Sequence, residues 1–233
     1  MAAAASLFFF KILERRFSVQ RSARYQQLGE FSAATRQLWL VAHGYGQLAE
    51  YFVRHFAPLH AADPAGTVVV APEALSRFYL AGASGRVGAS WMTRADRLAE
   101  IEDQVAYLTQ LLASLRADCP AAVRITVLGF SQGTATVGRW LASYAGHWRP
   151  HQLVLWAGDF PPDIEPEAAQ LLLHSLPVAV VAGDHDPYVS SVKLAQQAAL
   201  LAQLGAEVRP HTFSGAHTLD AALLHQLHTA AEG

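Results

Sequence analysis

Four short stretches carry residue types that could do chemistry together. Gly129-Phe130-Ser131-Gln132-Gly133 presents a serine between glycines two residues to either side. A serine hydroxyl is a weak nucleophile until a base takes its proton as it attacks. Gly215-Ala216-His217 supplies a candidate base, and Gly183-Asp184-His185-Asp186-Pro187 supplies two carboxylates that could orient it. Of the two, Asp186 is preferred, because the following proline holds it extended and lets its side chain project. Asp184 lies nearer the strand end and suits bonding to loop N–H groups. His43-Gly44-Tyr45-Gly46 is a glycine-rich turn whose amides could receive the charge that builds on a carbonyl oxygen during attack. A metal site built from Asp184, His185 and Asp186 would need a second cluster of ligands, and the sequence offers none, so neither metal nor cofactor is expected.

The serine pentapeptide is the G-x-S-x-G pattern of a sharp strand-to-helix turn that leaves the serine hydroxyl standing free. On its own it is weak, since chance would produce it in a chain of this length with a probability of about 0.1. Its weight depends on the elements around it. Gln37 to Ala42, Thr67 to Val70, Arg124 to Leu128, Leu153 to Trp156, Pro177 to Gly183 and Glu207 to Phe213 read as strands, most of them solid Val, Leu and Ile. Such runs suit parallel strands buried on both faces. Phe17 to Gln20 and Arg24 to Leu28 read as two further strands around a turn, opening the sheet as a meander. Helical spacing marks Leu48 to Phe56, Asp96 to Arg116, Gln132 to Tyr144, Glu167 to Leu173, Ser190 to Leu204 and His217 to Thr229. The alternation predicts an α/β fold, a mostly parallel sheet of about eight strands with helices on both faces. In such sheets ligands bind beyond the carboxyl ends of the strands. His43 to Gly46, Ser131, Asp186 and His217 all follow strands.

Composition narrows the classes. The chain has 233 residues, of which 52% are hydrophobic and 15% charged, with a formal net charge of −2. A sizeable core is expected and disorder is not. Lys and Arg are scattered, which argues against nucleic acid or an anionic membrane as partner. The single cysteine, Cys119, forbids an internal disulfide and suits a reducing, cytoplasmic setting. Residues 1–14 are expected to form an N-terminal extension, disordered or docked as a short helix. Its apolar run is too short to span a bilayer, so no stable membrane insertion is expected, and its basic residues follow the run rather than precede it, unlike a classical signal peptide. Residues 15–233 are expected to be a single domain.

With these motifs in hand, the chain resembles the phospholipase/carboxylesterase family of α/β-hydrolases, which includes carboxylesterases, lysophospholipases and acyl-protein thioesterases. The likeness runs from about Arg36 to the C-terminus and rests on His43-Gly-Tyr-Gly46, Gly129-Phe-Ser-Gln-Gly133, Gly183-Asp-His-Asp-Pro187 and Gly215-Ala-His217. The chain order serine, acid, histidine is the order of that fold. The resemblance implies a catalytic triad of Ser131, Asp186 and His217. It also implies oxyanion donors in the backbone N–H groups of Tyr45 and Gln132, the latter acting through its backbone rather than its amide. The expected substrate is a small-molecule carboxylic ester of small or medium acyl chain, cleaved through an acyl-enzyme. A thioester or lysophospholipid handled by the same triad is the alternative, and a non-catalytic binding protein of this fold a further one.

Residues 73 to 94 show little periodicity and read as a long loop on the catalytic face, a placement that usually serves function. Arg77, Tyr79 and Trp91, with Phe160 on the opposite wall, are the expected pocket lining. Trp91 as a core plug, with the arginines solvated, is the competing reading. Arg86 and Arg94 make this wall more cationic than a plain lipid groove.

Overall fold

The structure, a computed structural model, describes residues 12–230. The expected extension over residues 1–14 therefore lies almost wholly outside the described residues. Seven strands form the main sheet: β1 (Tyr25–Leu28), β2 (Gln37–Ala42), β3 (Thr67–Pro72), then, after a two-stranded ribbon of β4 (Ser76–Tyr79) and β5 (Val87–Ser90), β6 (Arg124–Phe130), β7 (Gln152–Trp156), β8 (Pro177–Gly183) and β9 (Glu207–Phe213). Their spatial order is β1-β3-β2-β6-β7-β8-β9, with all pairings parallel except β1 against β3. The helices are α1 (Ala49–Phe52), α2 (Ala57–Ala62), α3 (Arg97–Asp118), α4 (Gln132–Tyr144), α5 (Pro166–Leu173), α6 (Ser191–Gln203) and α7 (Ala221–Ala230), with a 3-10 turn over Val53–Phe56.

The period-two side-chain alternation of a strand splits the core into two layers. Leu38, Leu40 and Ala42 of β2 point to the side covered by α3, α4, α5 and α6, where Leu108, Trp140, Leu172 and Leu201 meet them in one cluster. Trp39 and Val41 point to the other side, under α1, α2 and α7, with Phe52, Phe56, Leu59 and Leu224. Four tryptophans are buried, and each indole N–H finds an acceptor: Trp39 on His228, Trp91 on the His43 carbonyl, Trp140 on Thr109 and Trp156 on the Thr218 carbonyl. Large rings can therefore fill the core without stranding a polar atom.

Three expectations from the sequence need correction. Phe17 to Gln20 pairs with nothing, and Phe17 and Val19 stay exposed, so the main sheet has seven strands rather than about eight. The opening is no meander either, because β1 pairs with β3 instead of β2. What holds β1 there is ionic. The Glu73 side chain, fully buried after β3, accepts a forked pair of hydrogen bonds from Arg24 at 2.6 and 3.1 Å and another from Arg77 at 2.6 Å. Burial works against the Glu73 charge, but the two guanidiniums outweigh it and hold the carboxyl below its usual range. The stretch from 73 to 94, read as a loop, folds back on itself as the antiparallel β4–β5 ribbon.

The strand order reverses between β2 and β6. The chain runs outward from β2 to β3 on one side, then crosses to β6 and continues to β9 on the other. At such a switch point neighbouring loops leave in opposite directions and open a crevice at the carboxyl ends of the strands. Ser131 and His43 stand at its two lips. No helix among the described residues is long and apolar enough to cross a membrane.

Burial is the chief cause that lowers the protonation of three histidines, His43, His151 and His211. For His43 desolvation outweighs the opposing pull of its bond to Gly44 and of Glu73. In the unfolded chain each would titrate near the usual value of about 6.5. The unfolded state thus binds more protons as pH falls through that value, and stability present above it is lost. The urea midpoint is expected to fall between pH 7.5 and pH 5.5 with an unchanged m-value, a window well above the range where Asp163, Asp184 and Glu73 take up protons. A flat profile across that window would contradict the assignment.

Candidate active site

β6 is the fourth of the seven strands, and Ser131 follows it directly, with φ 53° and ψ −117°. That conformation is costly for a residue with a side chain, of order 1–3 kcal/mol, and persists only where its surroundings enforce it. The enforcement is visible in backbone contacts. The Ser131 N–H donates to the Trp156 carbonyl at 2.8 Å, and the Ser131 carbonyl accepts from the Thr134 N–H at 3.0 Å. A Cβ on Gly129 would overlap the Gly133 carbonyl, one on Gly133 the Ala42 carbonyl, and one on Gly158 the carbonyl of Ser131 itself. Strand, turn and helix meet here through bare backbone. The Ser131 side chain makes no cap bond to α4 and is left to point elsewhere.

It points at His217. Ser131 Oγ lies 2.9 Å from His217 Nε2, and His217 Nδ1 lies 2.8 Å from Asp186 Oδ2. The Asp186 side chain is fully buried, and its other oxygen accepts the N–H groups of Tyr188 at 2.8 Å and Val189 at 3.1 Å. An acceptor-only carboxylate on Nδ1 requires the proton there, which leaves Nε2 free to accept from the serine. Phe130 and Tyr188 pack on the imidazole with ring centroids 5.0 and 4.8 Å away.

Two further links place the histidine. Asp184, read from sequence as a loop-bonding residue, accepts the Gly215 N–H at 2.9 Å, and the His185 N–H donates to the Gly215 carbonyl. Its carboxyl is held below the usual range chiefly by that Gly215 bond. A Cβ on Gly183 would overlap the carbonyls of Gly215 and Ala216, so the loops after β8 and β9 lie in direct contact. On the far side, the Trp156 indole holds the Thr218 carbonyl at 2.9 Å. His217 is thus pinned from both flanks, on one side by Asp184 and on the other by Trp156, which the sequence did not single out.

Across the crevice, the turn after β2 packs against the serine: a Cβ on Gly44 would sit 3.2 Å from that of Ser131. Its amides can be accounted for one by one. The Gly44 N–H is taken by Gln47 Oε1 at 2.8 Å and the Gly46 N–H by the Ala89 carbonyl at 2.8 Å. For the Tyr45 N–H between them, and for that of Gln132 at the first position of α4, no acceptor is present among the described residues. The Tyr45 ring is exposed and stacks on Phe78. His43 is buried beneath, its Nδ1 donating to the Gly44 carbonyl and its Nε2 accepting the Ala74 N–H, so it braces the turn. Gln132 contributes more than a backbone amide, contrary to the sequence reading. Its side chain accepts the Trp91 N–H at 3.1 Å and donates to the Met92 carbonyl at 2.8 Å, tying the end of the ribbon to the elbow.

The residues expected to line a pocket are dispersed. Trp91 is buried in the core, its ring against His43, which matches the competing reading of a plug. Arg77 is bound to Glu73, Phe160 is buried against Gly138, and Tyr79 is exposed on the ribbon. A cavity of about 530 Å³ does open beside the turn, lined by Gly46, Gln47, Tyr51, Phe52, His55 and Arg86 among others. Among the described residues no group of three or more His, Cys, Asp or Glu side chains is placed to hold a metal ion.

The sheet, its switch point and the strand-end loops define an α/β-hydrolase. The chain belongs to the phospholipase/carboxylesterase family, whose model matches residues 30–230, and with it to the carboxylic ester hydrolases. Solved structures agree on the fold. The chain is similar to the esterase PE8, at 24% identity and a TM-score of 0.68 over 91% of this chain and 99% of that one. It is similar too to acyl-protein thioesterase 2 of Zea mays, at 20% identity and 0.67 over 91% and 100%. A carboxylesterase from Mesorhizobium loti follows at 19% and 0.64 over 88% and 93%. Among curated proteins there is no significant match.

The glycine contacts make a direct prediction. Gly133→Ala puts a methyl into the Ala42 carbonyl, where only backbone movement can relieve it, and is expected to cost about 3 kcal/mol. Chemical denaturation of the variant should show a lower midpoint; an unchanged midpoint would mean the elbow is less tightly closed than its geometry indicates.

Proposed function

We propose that this chain is a serine hydrolase that cleaves carboxylic esters of small or medium acyl chain through an acyl-enzyme on Ser131. The single observation that carries the reading is the unbroken line Ser131 Oγ, His217, Asp186 Oδ2, with both links under 3 Å. Ser131 Oγ attacks the ester carbonyl carbon while its proton passes to His217 Nε2. The carbonyl π electrons move onto oxygen, and the oxyanion is received by the N–H groups of Tyr45 and Gln132. Collapse expels the alkoxide, which takes the proton from His217 and leaves as the alcohol. Water then repeats the sequence on the acyl-enzyme, with His217 as base, and releases the acid and free Ser131. Asp186 stays ionised, holds the tautomer and stabilises the imidazolium that forms twice per turnover. The N-terminus of α4 adds a favourable dipole at the oxyanion.

The size of the acyl group is argued from the cavity beside the turn. Its volume is that of a small-ligand pocket. Burial pushes the Cys119 thiol up to about 11, so it supplies no competing thiolate. A single, inert cysteine also suits the reducing, cytoplasmic setting proposed for the enzyme.

A fluorophosphonate probe is expected to label the folded wild-type protein at Ser131, and Ser131→Ala to lose the label together with at least about 1,000-fold in kcat on p-nitrophenyl butyrate. Labelling elsewhere, or a variant as active as wild type, would sink the assignment of the nucleophile. His217→Ala should cost about as much as Ser131→Ala, and the double variant little more than either, because the residues act as one unit. Additive losses in single-turnover kinetics would argue that they act separately.

A further inference from the structure

The cavity that begins at Gly46 has a character the hydrolytic machinery does not require. One wall is α1 and the 3-10 turn behind it, presenting Leu48, Tyr51, Phe52 and His55. The opposite wall is the start of β5, presenting Arg86 and Val87. These walls are rigidly joined to the catalytic turn. The Gly46 N–H donates to the Ala89 carbonyl at 2.8 Å and the Ala89 N–H to the Gln47 carbonyl at 3.1 Å. The cavity is linked to Ser131 and His217 through two chains of contacts. Gln47, on its floor, binds the Gly44 N–H, and Gly44 lies against Ser131. Phe52, on its wall, packs on Phe130, which packs on His217.

Its polar lining is one-sided. No Asp or Glu lines it, while Arg86, His55, the Tyr51 hydroxyl and the Gln47 amide do. Arg86 is exposed at the tip of the ribbon, and no carboxylate among the described residues pairs with its guanidinium. Elsewhere in the chain Arg24 and Arg77 share Glu73, and Arg97 and Arg139 share Asp163. A fork of donors at the edge of a small cavity, without a counter-ion among the described residues, matches a carboxylate.

We infer that this cavity is a subsite for an anionic group on the ester substrate, bound by Arg86, so that the enzyme favours esters carrying a free carboxylate a few bonds from the scissile carbonyl. The inference rests on the hydrolase reading above. Arg86 is exposed in a turn between two short strands, so its replacement leaves the core untouched. The carboxylate could sit on either side of the ester, and the test covers both. Two matched pairs serve: p-nitrophenyl pentanoate against mono-p-nitrophenyl glutarate, with the charge on the acyl side, and butyl acetate against acetoxybutanoate, with the charge on the alcohol side.

In at least one pair the ratio of kcat/KM for the charged ester to that for the neutral ester is expected to fall at least about tenfold in Arg86→Gln and further in Arg86→Glu, with much of it kept in Arg86→Lys. The pair that responds identifies the side. Ratios that stay within about twofold of wild type in both pairs overturn the subsite. Calorimetric titration with glutarate, a product-like acid, needs no turnover and separates the two readings. Binding to wild type weakened at least about tenfold by Arg86→Gln supports the subsite even if no ester is hydrolysed, and binding of equal strength in both proteins, or to neither, overturns it.

Discussion

Ser131 holds a backbone conformation that its own side chain disfavours, and the site depends on the contacts that keep it there. The strain is local, but the restraint is distributed: Gly129 and Gly133 let β6 and α4 close on each other, the Gly133 backbone lies on the carbonyl of Ala42 in β2, and Gly158 lies on the carbonyl of Ser131. Each contact joins the elbow to a different strand. The elbow is therefore the keystone of the switch point, and whatever loosens β2, β6 or β7 relative to one another relaxes Ser131. The energy stored in one residue of unusual φ is small beside the packing of Trp39, Trp140 and Trp156 that opposes its release.

The partners of the serine are set by a different logic. Asp186 and His217 sit on loops, where freedom would be the default. Here the two loops are cross-bonded by Asp184 and Gly215 and clamped from behind by Trp156, so the imidazole is held by several weak restraints in place of one strong one. On the other lip of the crevice, the amide count in the turn of Gly44 to Gly46 reaches a similar end. The N–H groups of Gly44 and Gly46 are committed, and that of Tyr45 between them has no acceptor among the described residues.

Much of this was readable in the residues. Strands of Val and Leu announce their own ends, and the chemistry of parallel sheets lies at those ends, so Ser131, Asp186, His217 and the turn after β2 could be picked out by position. The failures share a cause. Phe17 and Val19 alternate like a strand, yet a strand exists only with an edge to pair, and β1 is the last one in the sheet on that side. Ser76–Tyr79 and Val87–Ser90 are too short and polar to show a period; pairing with each other creates them. The amide of Gln132 holding the backbone at Trp91 and Met92, and Arg24 meeting Glu73, are contacts between residues some forty to fifty positions apart. Nothing in one strand of text records such a meeting, whereas a periodic pattern repeats its message at every turn.

The bridge between Gln47 and Ala89 makes β5 the outer buttress of the turn after β2, with Leu80 packed against Gly46 and Gly88, while residues 81–86 of the ribbon's tip are exposed. Gly82 and Gly85 in the tip meet no atoms where a side chain would stand, or none within 4 Å. The chain has thereby separated what must be conserved in shape from what is open to change. Residues at the tip could be lengthened, recharged or exchanged between relatives, and each exchange would present a new wall to the substrate while the amide facing the serine kept its place. Selectivity, in this architecture, is a detachable part.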